Sequence, residues 1–154
     1  MQRVEVGRTI PASAEMIFDV LCDPQGHVDI DSSGMLMGAS GERVRGVGDR
    51  FVVHMDREAL GDLPLGRYDV TVTITEFSRP WDIAWTVVGR LRPPIGHVYG
   101  YRLDPVDGGT FVTSYCDWSN MDPAWRGRLT FPIVPATALR ATLGILARTV
   151  ARLS

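Results

Sequence analysis

Residues 135–154 read PATALRATLGILARTVARLS, and the apolar side chains in this stretch decide the architecture. Leu139, Leu143, Leu146, Val150 and Leu153 recur at spacings of four, three, four and three, the period of one helix face, with Arg140, Arg148 and Arg152 lying off it. A stripe this continuous has to be buried against a second layer. The chain before it supplies that layer, because its period is two rather than 3.6. RVEVGRTI (3–10) alternates. RFVVHM (50–55) sets Phe51, Val53 and Met55 against Val52 and His54, and RYDVTVTITEF (67–77) sets Val70, Val72 and Ile74 against threonines. IAWTVV (83–88), HVYGYRL (97–103) and TFVTSYCDWS (110–119) continue the pattern, punctuated by SRPWD, RPPIG and the hairpin signal DPVDGG. Between the first two strands, PASAEMIFDVLCDP predicts a short helix. Ser13 is its cap, Met16, Ile17, Val20 and Leu21 its apolar stripe, and Pro24 its stop. GHVDIDSSG (26–34) reads as a polar loop with room for one helical turn, and the proline-broken MDPAWRGRLTFPIVPA (121–136) as irregular or briefly helical. The expected class is α+β: a curved antiparallel sheet of about seven strands under a long C-terminal helix. A straight helix cannot lie flush against a bent sheet everywhere, so the space between them is either filled core or a pocket.

The 154 residues suit one domain spanning 1–154, with 45% hydrophobic and 22% charged residues. Net charge is −2, and the 16 basic residues are scattered and all arginine. That pattern argues against a nucleic-acid partner, and the absence of lysine removes Schiff-base catalysis. No apolar run approaches the roughly 18–20 residues of a membrane span. The N-terminal strand lacks the apolar centre of a secretory signal, and Cys22 and Cys116 alone make no disulfide framework or zinc site. The expectation is a cytoplasmic protein with no metal and no cofactor. No G-x-S-x-G elbow occurs, and GERVRGVGDR (41–50) lacks both the lysine and the spacing of a phosphate loop.

TIPASAEMIFDVLCDPQGHVDIDSSG (9–34) resembles the N-terminal signature of the START-like, or SRPBCC, superfamily. RLDPVDGGTFVTSYCDWS (102–119) resembles its late hairpin, especially in bacterial members described as polyketide cyclase/dehydrase-like. GVGDRF (46–51), TEFSRPWDIAW (75–85) and the final helix extend the likeness over nearly the whole chain. The resemblance implies a helix-grip fold around an apolar ligand cavity. Its members include lipid and hormone binders, aromatic-polyketide cyclases and proteins of unassigned role, so the fold alone does not choose among activities.

HVYGYRL then poses a specific question. It puts His97, Tyr99, Tyr101 and Leu103 on one face and Val98, Gly100 and Arg102 on the other. A packed core rarely lines up three polar-tipped rings, because each buried tip needs a partner, and a solvent face rarely spends so much aromatic surface. The resemblance places this face on the concave side beneath the helix. Phe51, Val53, Met55, Trp85, His97, Tyr99, Tyr101, Trp118 and Leu143 are therefore the expected ligand-binding residues; in the alternative of a filled cavity, Met55 and Leu143 are the side chains that fill it. His97, Tyr99 and Tyr101 have two readings: general acid/base groups of a cofactor-independent cyclase or dehydratase, or wall residues with bonded tips. The second is favoured because no carboxylate is placed to orient His97, and no catalytic set is assigned. Binding of a small hydrophobic molecule (lipid, aromatic or polyketide-like) leads, with that enzyme as the rival. A third reading has 122–135 and the final helix as a partner or homodimer surface. His27, Asp29 and Asp31 form H-x-D-x-D, but no further ligand joins them, and in the resembling family this segment is a helix-to-sheet connection whose Asp and Ser groups cap backbone. Asp117 is expected to bond backbone or arginine, Cys116 to be a small buried hydrophobe, and Glu76, on the parity of Val72 and Ile74, to sit at the sheet margin in water.

Overall fold

The computed structural model describes residues 2–61 and 64–154. Strand β1 (Arg3–Ile10) leads into helix α1 (Ala14–Cys22) and the short helix α2 (Pro24–Asp29). Six strands follow: β2 (Leu36–Ser40), β3 (Arg50–Asp56), β4 (Arg67–Ser78), β5 (Asp82–Val88), β6 (Val98–Val106) and β7 (Gly109–Asp117). Helix α3 (Ala136–Leu153) ends the chain, and a single 3-10 turn at Pro123–Trp125 interrupts the segment before it. The strands make one seven-stranded sheet in the order β1-β7-β6-β5-β4-β3-β2, antiparallel at every pairing. With short helices after β1 and a long helix against the sheet, this is the α+β helix-grip arrangement.

Local chemistry sets the boundaries. Ser13 caps α1 by accepting from the Met16 amide at 3.2 Å. Pro24 does more than stop that helix. It occupies the first turn of α2, where its missing N–H costs nothing, behind Asp23, which caps the Gln25 amide at 3.0 Å. The polar loop expected after it is therefore partly helical. Asp31 closes that connection by accepting from the amides of Ser33, Gly34 and Leu36 at 2.9–3.2 Å. Between β6 and β7, Val106 pairs with Gly109 and leaves Asp107 and Gly108 as a two-residue turn, Gly108 at φ 82°.

Two register shifts bend the sheet, one between Leu36 and Gly38 and one between Ile74 and Glu76. The second overturns a parity. Ile74 faces Trp85, but Glu76 pairs with Ala84 and Phe77 with Ile83, so the extra residue Thr75 turns Glu76 to the outer face. Glu76 is exposed there, and Phe77 takes the inward place, edge-on to Phe18 at 5.4 Å. On the outer face Tyr115 lies across Gly100 and Phe111 across Gly7; a Cβ on either glycine would come within 2.3 Å of the ring. The rings thus cover backbone that the glycines leave bare.

Helix α3 buries Leu139, Leu143, Leu146 and Val150 and exposes Arg140, Arg148 and Arg152. Leu153, at 65% exposure, falls outside the stripe to which its spacing assigned it. The close helix contacts fall on the flanks of the sheet: α3 on β1 and β7, α2 on β2 and β3, with α1 touching β6. Removing a side chain from the centre of the stripe should therefore be costly. Leu146→Ala, at a fully buried position, is expected to lower stability by about 2–5 kcal/mol in urea unfolding, against less than about 0.5 kcal/mol for the surface change Arg148→Ala.

Candidate functional site

Burial along the concave face is graded. On β3, Phe51 and Val53 are buried and Met55 is partly exposed; on β4, Ile74 and Val72 are buried and Val70 is partly exposed. On β5, Ile83 and Trp85 give way to partly exposed Val87, and on β6, Leu103 and Tyr101 give way to partly exposed Tyr99. The pairings Val72–Val87 and Trp85–Tyr99 put these transitions at the same end of the sheet. One end of the grip is solid core. The other presents apolar and aromatic surface that the protein itself does not fully cover.

The nine sequence-predicted residues divide accordingly. Phe51, Val53, Trp85, Tyr101 and Leu143 belong to one packed core, with Trp85 stacked on Tyr101 at 5.9 Å between ring centres. Met55 and Tyr99 pack against that core from the partly open end. His97 and Trp118 lie buried beside it: His97 is edge-on to Tyr99 at 5.0 Å, and Trp118 stacks on Phe131 at 5.7 Å. Phe131 comes from the irregular segment before α3. That segment is tied to the β5–β6 connection by Asp122 N–H to the Ile95 carbonyl and Trp125 Nε1–H to the Pro93 carbonyl, each at 2.8 Å. No sequence pattern pointed to Phe131.

The polar tips are chemically quiet. Burial, with the neighbouring Cys116, raises the Tyr99 hydroxyl well above its ordinary value. Burial pushes Tyr101 up to about 12, only partly offset by a hydrogen bond to Ser114. The Cys116 thiol is likewise pushed up to about 12 by burial. His97 is 3% exposed, and desolvation pulls its pKa down to about 4. Its Nδ1 is the one buried side-chain nitrogen or oxygen among the described residues that has no hydrogen-bond partner.

His27 was expected in a polar loop and proves to be core. It stands edge-on to Phe51 and Trp85, with centroids 5.0 and 4.8 Å away, and its Nε2 donates to the Leu21 carbonyl at 2.8 Å. Complete desolvation lowers its pKa too. Asp117 behaves as expected: burial raises its pKa, but the Ser119 hydroxyl and amide and the Arg3 guanidinium outweigh this and hold the carboxyl low.

Outside the grip, His54 on the outer face of β3 donates from Nδ1 to Asp69 at 2.8 Å, and its Nε2 meets the Ser40 hydroxyl at 2.7 Å. The order is that of an acyl-transfer triad. The imidazole and carboxylate are, however, 45% and 65% exposed on a convex sheet surface, with Asp69 directly opposite His54 on β4 and Ser40 diagonal to it on β2. They act as a cross-strand ladder holding edge strand β2. Two surface hollows lie away from the concave face. One of about 570 Å³ is bounded by Pro11, Glu15, Trp81, Pro105 and Thr110, and a smaller one of about 160 Å³ by Arg3, Glu76, Tyr115 and Asp117.

No family model and no curated protein matches this chain. Solved structures do. A Chromobacterium violaceum protein superposes with a TM-score of 0.71 at 14% identity, covering 97% of this chain and 98% of its own. The Aha1 dimer from Colwellia psychrerythraea gives 0.62 at 18% identity, covering 97% and 96%. DynU16, from the dynemicin biosynthetic locus, gives 0.61 at 14% identity, covering 98% of this chain but 48% of its own. These likenesses establish a helix-grip fold. Among the described residues no helix is long and apolar enough to cross a membrane.

His97 makes stability pH-dependent in a defined direction. Its pKa falls from 6.5 unfolded to about 4 folded, so its contribution is complete above pH 6.5 and is lost as pH falls toward 4. His27, also lowered, acts in the same sense. Between pH 7 and 4.5, urea unfolding of the native protein should lose roughly 2–3 kcal/mol more than that of His97→Phe. Equal losses would place His97 in water.

Proposed function

We propose that the chain, acting as one START-like domain across 1–154, binds a small hydrophobic molecule between its sheet and its helices. The observation that carries this reading is the uncovered apolar end of the concave face, where Met55, Val70, Val87 and Tyr99 stay partly exposed while their strand neighbours are buried. In this assignment Phe51, Val53, Trp85, Tyr101 and Leu143 form the floor. Met55, Tyr99, His97 and Trp118 form the wall that a guest touches, beneath the segment carrying Phe131. The placing of the helices over the flanks of the sheet supports it, since the ends of β4 and β5 are left to be covered by something else. A naphthalene-sized guest that buries roughly 200 Å² of its own apolar surface gains about 5 kcal/mol, an affinity of roughly 0.2 mM before any polar contact. The reading also places the protein in the cytoplasm and, following the dimer named for the Colwellia structure, as a homodimer.

Native mass spectrometry of gently purified protein should show a co-purified small molecule and report the assembly mass in the same spectrum. The neutral fluorophore N-phenyl-1-naphthylamine is expected to bind saturably. Val87→Glu or Met55→Glu should weaken it at least tenfold while the circular dichroism of the fold is retained. Absence of saturable binding to the native protein, or full binding by both folded variants, overturns the assignment.

A further inference from the structure

Three features of the interior bear on what kind of molecule it would accept, given the binding site proposed above. The first is the buried His97 ring, whose Nδ1 has no protein partner. The second is that the neighbouring tips are already engaged. The Tyr99 hydroxyl lies beside Cys116 and the Tyr101 hydroxyl beside Ser114, the His27 Nε2–H reaches the Leu21 carbonyl, and Thr86 Oγ1 donates to the carbonyl of His97 itself. The third is charge. The buried polar residues among those described are His27, His97, Thr110, Thr113 and Ser114; no arginine, aspartate or glutamate among them is buried, and the chain has no lysine.

We propose that the site selects an uncharged, flat molecule bearing a hydroxyl or carbonyl group, and that this group hydrogen-bonds His97 Nδ1. A buried polar atom left unpaired is a cost that a guest's hydroxyl or carbonyl removes on binding. A carboxylate in the same place would be stripped of water with no cation to meet it, and an ammonium would find no carboxylate. His97, kept neutral by its burial, can present either a lone pair or an N–H, so it accepts from a hydroxyl in one tautomer and donates to a carbonyl in the other. The Tyr99 ring edge-on to His97, with Trp85 opposite Tyr99 on the neighbouring strand, favours a planar guest over a long chain. Fatty-acid anions, which the concave apolar surface alone would admit, are thereby excluded.

Displacement of N-phenyl-1-naphthylamine by naphthalene, 2-naphthol and 2-naphthoate at pH 7.5 separates the contributions. 2-Naphthol should compete roughly three- to tenfold better than naphthalene, the worth of one neutral hydrogen bond. 2-Naphthoate should compete at least about tenfold worse than 2-naphthol. In His97→Phe the ratio of 2-naphthol to naphthalene affinity should fall to about one, whatever happens to the affinity for naphthalene itself. The wild-type ratios suffice if that variant fails to fold. Equal competition by naphthol and naphthalene, or 2-naphthoate matching 2-naphthol, overturns the selectivity while leaving the hydrophobic site standing. If the fluorophore never binds, the site falls and this inference with it.

Discussion

Everything in this structure depends on covering the Leu139–Val150 stripe of α3 with a sheet that cannot be flat. Four fully or nearly buried aliphatic side chains on one helix face demand a concave partner, and the sheet becomes concave through the two register shifts at Leu36–Gly38 and Ile74–Glu76. The outer surface is adapted to the same bend. Gly7 and Gly100 carry no Cβ, and Phe111 and Tyr115 lie on the bare backbone, with the Arg3 guanidinium 3.9 Å over the Tyr115 ring. Bending concentrates close helix contact on the flanks, so the helix that organises the core also leaves one end of it incompletely filled.

The flank over β2 and β3 is closed by α2 rather than by α3. His27 inserts its ring edge-on between Phe51 and Trp85 and satisfies Nε2 on the Leu21 carbonyl at the end of α1. The helix is held at both ends by side chains acting on backbone: Asp23 caps its start, and Asp31 gathers three amides just beyond its end. H-x-D-x-D is thus a motif whose histidine is core and whose last carboxylate is already committed to backbone N–H groups. Spacing alone suggests a cation site; the directions in which the side chains point give a different role to each member.

Most of the fold was legible because most of it is local. Period-two runs marked the strands, Ser13 is the cap its position implied, DPVDGG makes the two-residue turn, and the helical tail begins directly after Pro135. What escaped is pairwise. The bulge at Thr75 is a property of β4 against β5, so strict alternation within β4 put Glu76 on the wrong face. Leu153 keeps the helical spacing but lies beyond the sheet that covers its neighbours. The Ser40–His54–Asp69 ladder joins residues that only strand register brings together, and Phe131 reaches Trp118 from a segment with no period to read. Parity did place His97, Tyr99 and Tyr101 inward. It could not show which of their tips would find partners.

That last distinction bears on binding against catalysis. A general acid or base works best with a pKa near the working pH, held there by a charge or hydrogen bond that orients it. Burial drives the titratable groups of this face away from neutrality: His97 down to about 4, Tyr101 and Cys116 up to about 12, and Tyr99 upward as well. Opposite shifts in two neighbouring groups can define an acid and a base, but here every shift preserves the neutral form. At pH 7 the imidazole remains neutral and the phenols and thiol protonated, and among the described residues no carboxylate bonds the imidazole Nδ1. Side chains that all resist gaining or losing charge offer hydrogen bonds and apolar contact rather than proton transfer. On the proposed reading, the same desolvation that makes His97 Nδ1 costly to leave unpaired would favour holding a neutral molecule over moving its protons.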